Sequence, residues 1–398
     1  MDDSAKMSSP LIPREKKSVS GHITAESELV ERTASWSELF FDLGFVAVVA
    51  QVTYMVIENH KSIESILMFL FLAYITFWAW ARPTILKNIL NIDDTITKMM
   101  VVGQTFFALV ASIFISTAFT TGLTGFAFGI FGIKLLMMLT IVYGYKKSPD
   151  HRPKDPSVNT AFWIATWMWG ISIFLPMPFA FLLWFLAQAT ETAAPFITTT
   201  NESIIKLNKY HLPERLGLFV MLVIGESLIV IGLINKLALQ VLDTVTLSIF
   251  FLIFIVMSSL WWIYFNLNEI YLMGKRFPAT GRMLELHQVI VVGVMLLAVG
   301  VQEVMKGPAE LVIGYQSFVL WAAILILASI AAIRILFHQD LFRISKELLF
   351  FLTLLGACLF ATLSQIAFLL IVSVSLSVIA LRVIIEHEGL LDELRELR

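Results

Sequence analysis

The sequence predicts an all-α, polytopic membrane protein of about 12 transmembrane helices in two parallel six-helix repeats. Three observations carry that prediction. The 398-residue chain is 58% hydrophobic and 15% charged, with a mean hydropathy of +0.83, whereas soluble domains run near ~45–50% apolar and ~25% charged. Its apolar residues fall into segments of about 20 residues, the length that crosses a hydrocarbon core of about 30 Å. Lysine and arginine then concentrate in alternate loops, as they do when those loops stay in the cytoplasm.

Residues 1–34 are polar and mixed in charge, without the apolar stretch and small-residue cleavage site of a signal peptide, and read as a flexible cytoplasmic tail. Residues 35–198 form a first six-helix membrane half, 199–213 a cytoplasmic linker, 214–385 a second six-helix half and 386–398 a cytoplasmic C-terminal tail. The predicted spans are 38–57, 65–86, 99–119, 126–144, 159–176, 178–198, 214–234, 244–267, 287–305, 311–334, 347–363 and 365–385. The run from Asn159 to Ile197 is too long for one crossing, and Pro176 and Pro178 supply its break. The run from Lys346 to Ile385 is equally long, and Thr362, Ser364 and Gln365 offer a polar turn; one long helix reaching into the cytoplasm is the alternative.

The basic residues assign orientation. The N-terminal tail, the even-numbered loops and the C-terminal end together carry 23 Lys and Arg, among them Arg82, Lys87, Lys147 and Lys206; the odd-numbered loops carry only Lys61, Lys236 and Lys306. Both termini are therefore expected in the cytoplasm, in a plasma membrane. A duplication is expected too. Glu38 and Glu214 each open a span, Trp78 and Trp261 recur in the second span of each half, and Val101-Val102-Gly103 and Val291-Val292-Gly293 recur in the third. The two long double runs begin near 159 and 347, so the offsets are 176, 183, 190 and 188 residues. An even number of spans per half makes the repeats parallel, about an axis along the membrane normal.

The chemistry-bearing residues are the charges inside these spans. Trp36 to Gln51 reads WSELFFDLGFVAVVAQ, and Glu38 and Asp42 lie on one helical face, about 6 Å apart along the axis. A helix N-terminus stabilises Glu38 but is too distant to account fully for Asp42. Lys134 falls near the middle of span four, Glu191 in span six and Glu226 near mid-membrane in span seven, beside Gly225. Such residues usually face protein or water and pair with one another. Lys134 is expected to pair with Asp42, Glu191 or Glu226. Four acids (Glu38, Asp42, Glu191, Glu226) against Lys134 and Arg215 suggest that some acids carry a proton or bind a cation. His287, at the start of span nine, is a candidate proton relay or a hydrogen-bonded structural histidine. Trp163, Trp167 and Trp169 read as lipid-facing or as lining an aromatic cavity.

Other chemistry is disfavoured. There is no P-loop and no HExxH, and Gly225-Glu226-Ser227-Leu228 lacks the second glycine of a nucleophile elbow. The single cysteine, Cys358, lies in an apolar run, so neither a disulfide framework nor a Cys/His zinc site is expected. A net charge of −2 does not point to nucleic acid. No cofactor and no metal are expected; the expected partners are the lipid bilayer and a small solute, proton or cation.

Several stretches resemble the bacterial low temperature requirement protein A (LtrA) family: Glu38-Leu-Phe-Phe-Asp42-Leu-Gly-Phe-Val, Asp93-Asp94, His211-Leu-Pro-Glu214-Arg215-Leu-Gly-Leu-Phe followed by Gly225-Glu226-Ser227, Trp261-Trp262-Ile-Tyr264-Phe265, and His287 with Gly293 and Ala298-Val299-Gly300. Lys134 stands where the family often has arginine, and Asn266 where it often has aspartate. The resemblance covers about residues 34–385 and implies an integral membrane protein linked to bacterial growth at low temperature. The reading that follows is a secondary transporter or a proton or cation pathway, more readily than an enzyme. Its pathway residues would be Glu38, Asp42, Lys134, Glu191, Glu226 and His287. The alternatives are a membrane-embedded enzyme acting on a lipid or isoprenoid, and a structural or sensory membrane protein.

Overall fold

In the computed structural model, residues 33–58, 63–149, 157–197, 211–235, 244–273, 280–305, 312–336 and 365–396 are described. They form eleven α-helices: α1 (Trp36–Glu58), α2 (Ile63–Leu90), α3 (Thr95–Phe114), α4 (Leu123–Lys147), α5 (Ser157–Ser172), α6 (Phe179–Ile197), α7 (His211–Asn235), α8 (Thr244–Met273), α9 (Thr280–Met305), α10 (Val312–Leu336) and α11 (Gln365–Glu396). There is no strand among the described residues. The expected span 347–363 and the turn after it lie outside them. Eight helices (α1–α4 and α8–α11) are long and apolar enough to cross a membrane, and α6 is a shorter apolar helix.

The helix surfaces are those of a protein dissolved in lipid. On α3, Met99, Val102, Phe106, Leu109 and Ile113 are exposed, while Gln104, Thr105, Ala108, Ala111 and Ser112 are buried. Large apolar residues outside and small or polar ones inside invert a water-soluble helix. The inversion fits a solvent as apolar as leucine, in which close packing and interhelical hydrogen bonds hold helices together. The seam between α8 and α11 is built this way: Ser373 Oγ donates to Leu252 O (3.0 Å), and Ser259 and Ser377 share a hydrogen bond (3.2 Å).

Local sequence sets the helix ends. Asn91 closes α2 with φ 48°, a left-handed conformation that asparagine tolerates. Asp94 then caps α3 by accepting from Thr97 N, while Thr97 Oγ1 accepts from Asp94 N. The long run from 159 to 197 does break, α5 ending at Ser172 and α6 starting at Phe179, with Pro176 and Pro178 between them. Trp169 and Trp184 stack across this hairpin at 5.3 Å, and Trp184 Nε1 donates to Ser172 Oγ (2.9 Å). Of the three tryptophans of α5, Trp169 is thus a core residue, whereas Trp167 is exposed.

The packing order recurs along the chain. α1 packs on α2 and α3, and α3 on α4; α7 packs on α8 and α9, and α9 on α10. The first six helices meet the later ones chiefly through α1 against α7 and α9, and α2 against α7 and α9.

Candidate functional site: three buried polar groups in the spanning helices

The first group lies where α1, α2 and α7 meet. Glu38 faces into the protein because Ser35 caps α1: Ser35 N donates to Glu38 Oε2 (2.7 Å) and Glu38 N to Ser35 Oγ (3.4 Å). One turn deeper, fully buried Asp42 accepts from Trp80 Nε1 (2.6 Å) and Arg215 Nη2 (2.6 Å), both at Oδ1. Arg215 Nη1 also faces Glu38 Oε1 at 3.4 Å, and Nη2 is 3.5 Å from Thr84 Oγ1. Asn88 Nδ2 donates to His211 Nδ1 (3.1 Å), which leaves His211 Nε2 to donate to Glu38 (3.2–3.3 Å). Phe219, one turn beyond Arg215, stacks on Trp80 at 4.0 Å. Trp80, Thr84 and Asn88 fall at four-residue spacing, a polar stripe that points α2 at α1 and α7. Ala34 N donates to Glu214 Oε2 (3.2 Å), tying the entry of α1 to α7.

The second group lies among α2, α4, α5 and α6. Of the three acids open to Lys134, the partner is Glu191: Lys134 Nζ lies 2.7 Å from both carboxylate oxygens. Arg82 contacts Glu191 Oε2 as well. The guanidinium sits over the rings of Trp78 (5.1 Å) and Phe162 (5.4 Å), and the ammonium over Trp169 (5.9 Å). Arg82 had counted as a cytoplasmic loop charge; it is instead a buried residue of α2. Trp78 and Arg82 form a second stripe on α2, turned away from the first. The polar centre expected from the sequence is therefore two separate charge clusters on two faces of one helix.

The third group is Glu226 on α7. It is 4% exposed, and neither carboxylate oxygen has a hydrogen-bond partner among the described residues. Its neighbour Gly225 faces open space: a methyl group added there would meet nothing within 4 Å. Leu228 lines an apolar groove of about 330 Å³ with Leu247, Phe250, Phe251, Ile253 and Phe254 of α8. His287 belongs to none of these constellations by its hydrogen bond, which runs from Nδ1 to Met283 O (2.7 Å) on its own helix; its ring stands edge-on to Tyr264.

At the turn between α2 and α3, Asp93 pairs with Lys87 (3.2 Å) and Lys98 (3.1 Å), and Asp94 accepts from Lys147 (2.6 Å) and Tyr143 (2.6 Å). Hydrogen bonds from Lys147 and Tyr143 hold the Asp94 carboxyl below the usual carboxylate range. Burial pushes Asp93 up, but hydrogen bonds from Lys98 and Lys87 outweigh it and leave Asp93 lowered as well. This acidic pair latches the α2–α3 turn to the end of α4. Among the described residues, no group of three or more His, Cys, Asp or Glu could hold a metal ion.

Several of these groups fall on the motif residues, from Glu38 and Asp42 through Asp93-Asp94 to Arg215 and Glu226. A protein of Rhizobium meliloti (strain 1021), itself described as uncharacterized, is 26% identical over 250 residues; this alignment covers 58% of each chain. The family described as Bacterial low temperature requirement A protein (LtrA) matches residues 33–384, most of the sequence. The chain is a member of the LtrA family.

Proposed function

We propose that this LtrA-family protein carries a proton or a small cation across the membrane and that Glu226 is the exchanging group. The observation that carries the reading is the contrast in partners. A buried carboxylate without a hydrogen bond or a counter-ion is costly in low dielectric, so a bare site persists most easily where an exchangeable species is its partner. Among the described residues Glu226 is such a site, with room beside it at Gly225. Asp42 and Glu38 are instead held by Trp80, Arg215, His211 and Ser35, although Asp42 Oδ2 has no hydrogen-bond partner among the described residues. Their role is to lock α7, the helix carrying Glu226, against α1 and α2.

The rest of the reading is architectural: twelve spans, two parallel six-helix halves and cytoplasmic termini in a plasma membrane, with growth in the cold as the phenotype to examine. The shared packing order of α1–α4 and α7–α10 supports the duplication. One contact supports it to the residue. A methyl group on Gly103 would lie 2.7 Å from Leu136 Cδ1, and one on Gly293 would lie 2.6 Å from Ile326 Cγ1. Gly103 to Gly293 and Leu136 to Ile326 are both displacements of 190 residues. Moving Arg82 and Lys87 out of the loops leaves the remaining charge asymmetry intact.

The experiment is reconstitution of the purified protein in liposomes with ion-sensitive dyes for proton, sodium and potassium flux. Flux in the wild type that is lost in Glu226→Gln supports the proposal; flux unchanged by Glu226→Gln removes Glu226 from the pathway.

A further inference from the structure

The cluster among α2, α4, α5 and α6 has more positive charge and more hydrogen-bond donors than its own residues can use. Arg82 and Lys134, 8% and 3% exposed, converge on one carboxylate, Glu191. Two cations on one acid leave a surplus positive charge in the membrane interior, which is costly unless something balances it. Three further buried polar groups lie on the helices that carry this cluster. Gln188 lies one turn before Glu191 on the same face of α6, is 4% exposed, and neither atom of its amide has a partner among the described residues. The indole N–H groups of Trp78 and Trp169 are buried and unpartnered as well. These are the two rings that face Arg82 (5.1 Å) and Lys134 (5.9 Å). A buried donor left without an acceptor costs stability, and here three such groups border the surplus charge.

We propose that Arg82, Lys134, Gln188, Trp78 and Trp169 form a binding site for a small monovalent anion of the size of chloride. Such an ion accepts from the ammonium, the amide and the indole N–H groups together, and cancels the charge that Glu191 leaves over. It needs neither directed lone pairs nor a large cavity, which suits a site closed by aromatic side chains. The site is independent of Glu226, which sits on α7 and is not among its residues.

Thermal unfolding of the purified full-length protein, with sodium chloride replacing sodium gluconate at constant ionic strength, tests this. A ligand that binds only the folded state raises the midpoint in a saturable way, here by about 1–2 °C at ten times its dissociation constant. The wild type should show that rise. Lys134→Met removes the surplus charge while Arg82 still holds Glu191, and its midpoint should not depend on chloride. If Lys134→Met does not fold, Gln188→Leu serves instead, with half-saturation expected at about tenfold higher chloride. A wild-type midpoint indifferent to chloride would overturn the proposal. So would an equal chloride response in wild type and Lys134→Met, or unchanged half-saturation in Gln188→Leu.

Discussion

Asp42 on α1 and Glu226 on α7 are both acids buried in apolar helices, yet they live in opposite circumstances. Asp42 takes a guanidinium and an indole N–H at 2.6 Å each. Glu226 takes nothing from the described residues, and its neighbour Gly225 opens onto empty space. Burial is common to both, so burial alone does not mark a working site. The partner inventory separates them: Asp42 joins helices, and in the proposed function Glu226 is the acid left for a solute. Glu191 stands at the other extreme, one acid between two cations.

That contrast orders the consequences of removing each acid. Glu191→Gln should be the most damaging, because it strands both Arg82 and Lys134; breaking a buried pair in this way costs about 3–5 kcal/mol, read as loss of folded, monodisperse protein. Lys134→Met should cost less, since Arg82 keeps Glu191 paired. An equal loss in the two variants would show that Arg82 does not share the acid.

Asp42→Asn should cost about 1.5–3 kcal/mol, the range for a hydrogen bond to a charged group, measured as a lower midpoint. The fraction that folds should keep its specific flux. Loss of flux at full stability would return Asp42 to the pathway, where the sequence alone had put it.

Glu226→Gln should change stability by less than about 1 kcal/mol, because no partner among the described residues is lost, while flux in liposomes disappears. A large destabilisation would expose a partner for Glu226 and collapse the contrast with Asp42.

The smallest effect belongs to the aqueous latch. Asp94→Asn should speed hydrogen exchange at the first amides of α3 without moving the global midpoint. Asp94's carboxyl is lowered in the folded protein by Lys147 and Tyr143. Its contribution is therefore present above the unfolded carboxylate pKa near ~3.9 and is lost only as pH falls through the lower folded value. Protection of these amides, taken relative to their intrinsic base-catalysed exchange rate at each pH, should be flat from neutrality to about pH 4.

Much of the fold was legible because a bilayer demands it. Length and apolarity mark α1–α4 and α8–α11, and prolines mark the α5–α6 turn, since both are local consequences of solvent and backbone. The charged residues were legible one at a time, because an acid at Asp42 or Glu226 breaks an apolar run. Their partners were less so. Arg82 sits near the end of a span, where the sequence assigns arginine to the interface; only the packing of α2 against α4 and α6 turns it inward. Trp80, Thr84 and Asn88 look like ordinary helix residues, although their four-residue spacing could have suggested a polar stripe. Which acid holds Lys134 depends on how α4 and α6 meet, and no local pattern encodes that.

The central claim is that, of these four acids, Glu226 alone has no partner at either carboxylate oxygen among the described residues, and a lipophilic carbodiimide tests it most directly. Such a reagent enters the membrane and modifies accessible, unpaired carboxyl groups, and peptide mass spectrometry locates the adduct. The account predicts modification at Glu226 with parallel loss of flux, and none at Glu38, Asp42 or Glu191. Modification at Asp42 with Glu226 untouched would contradict it.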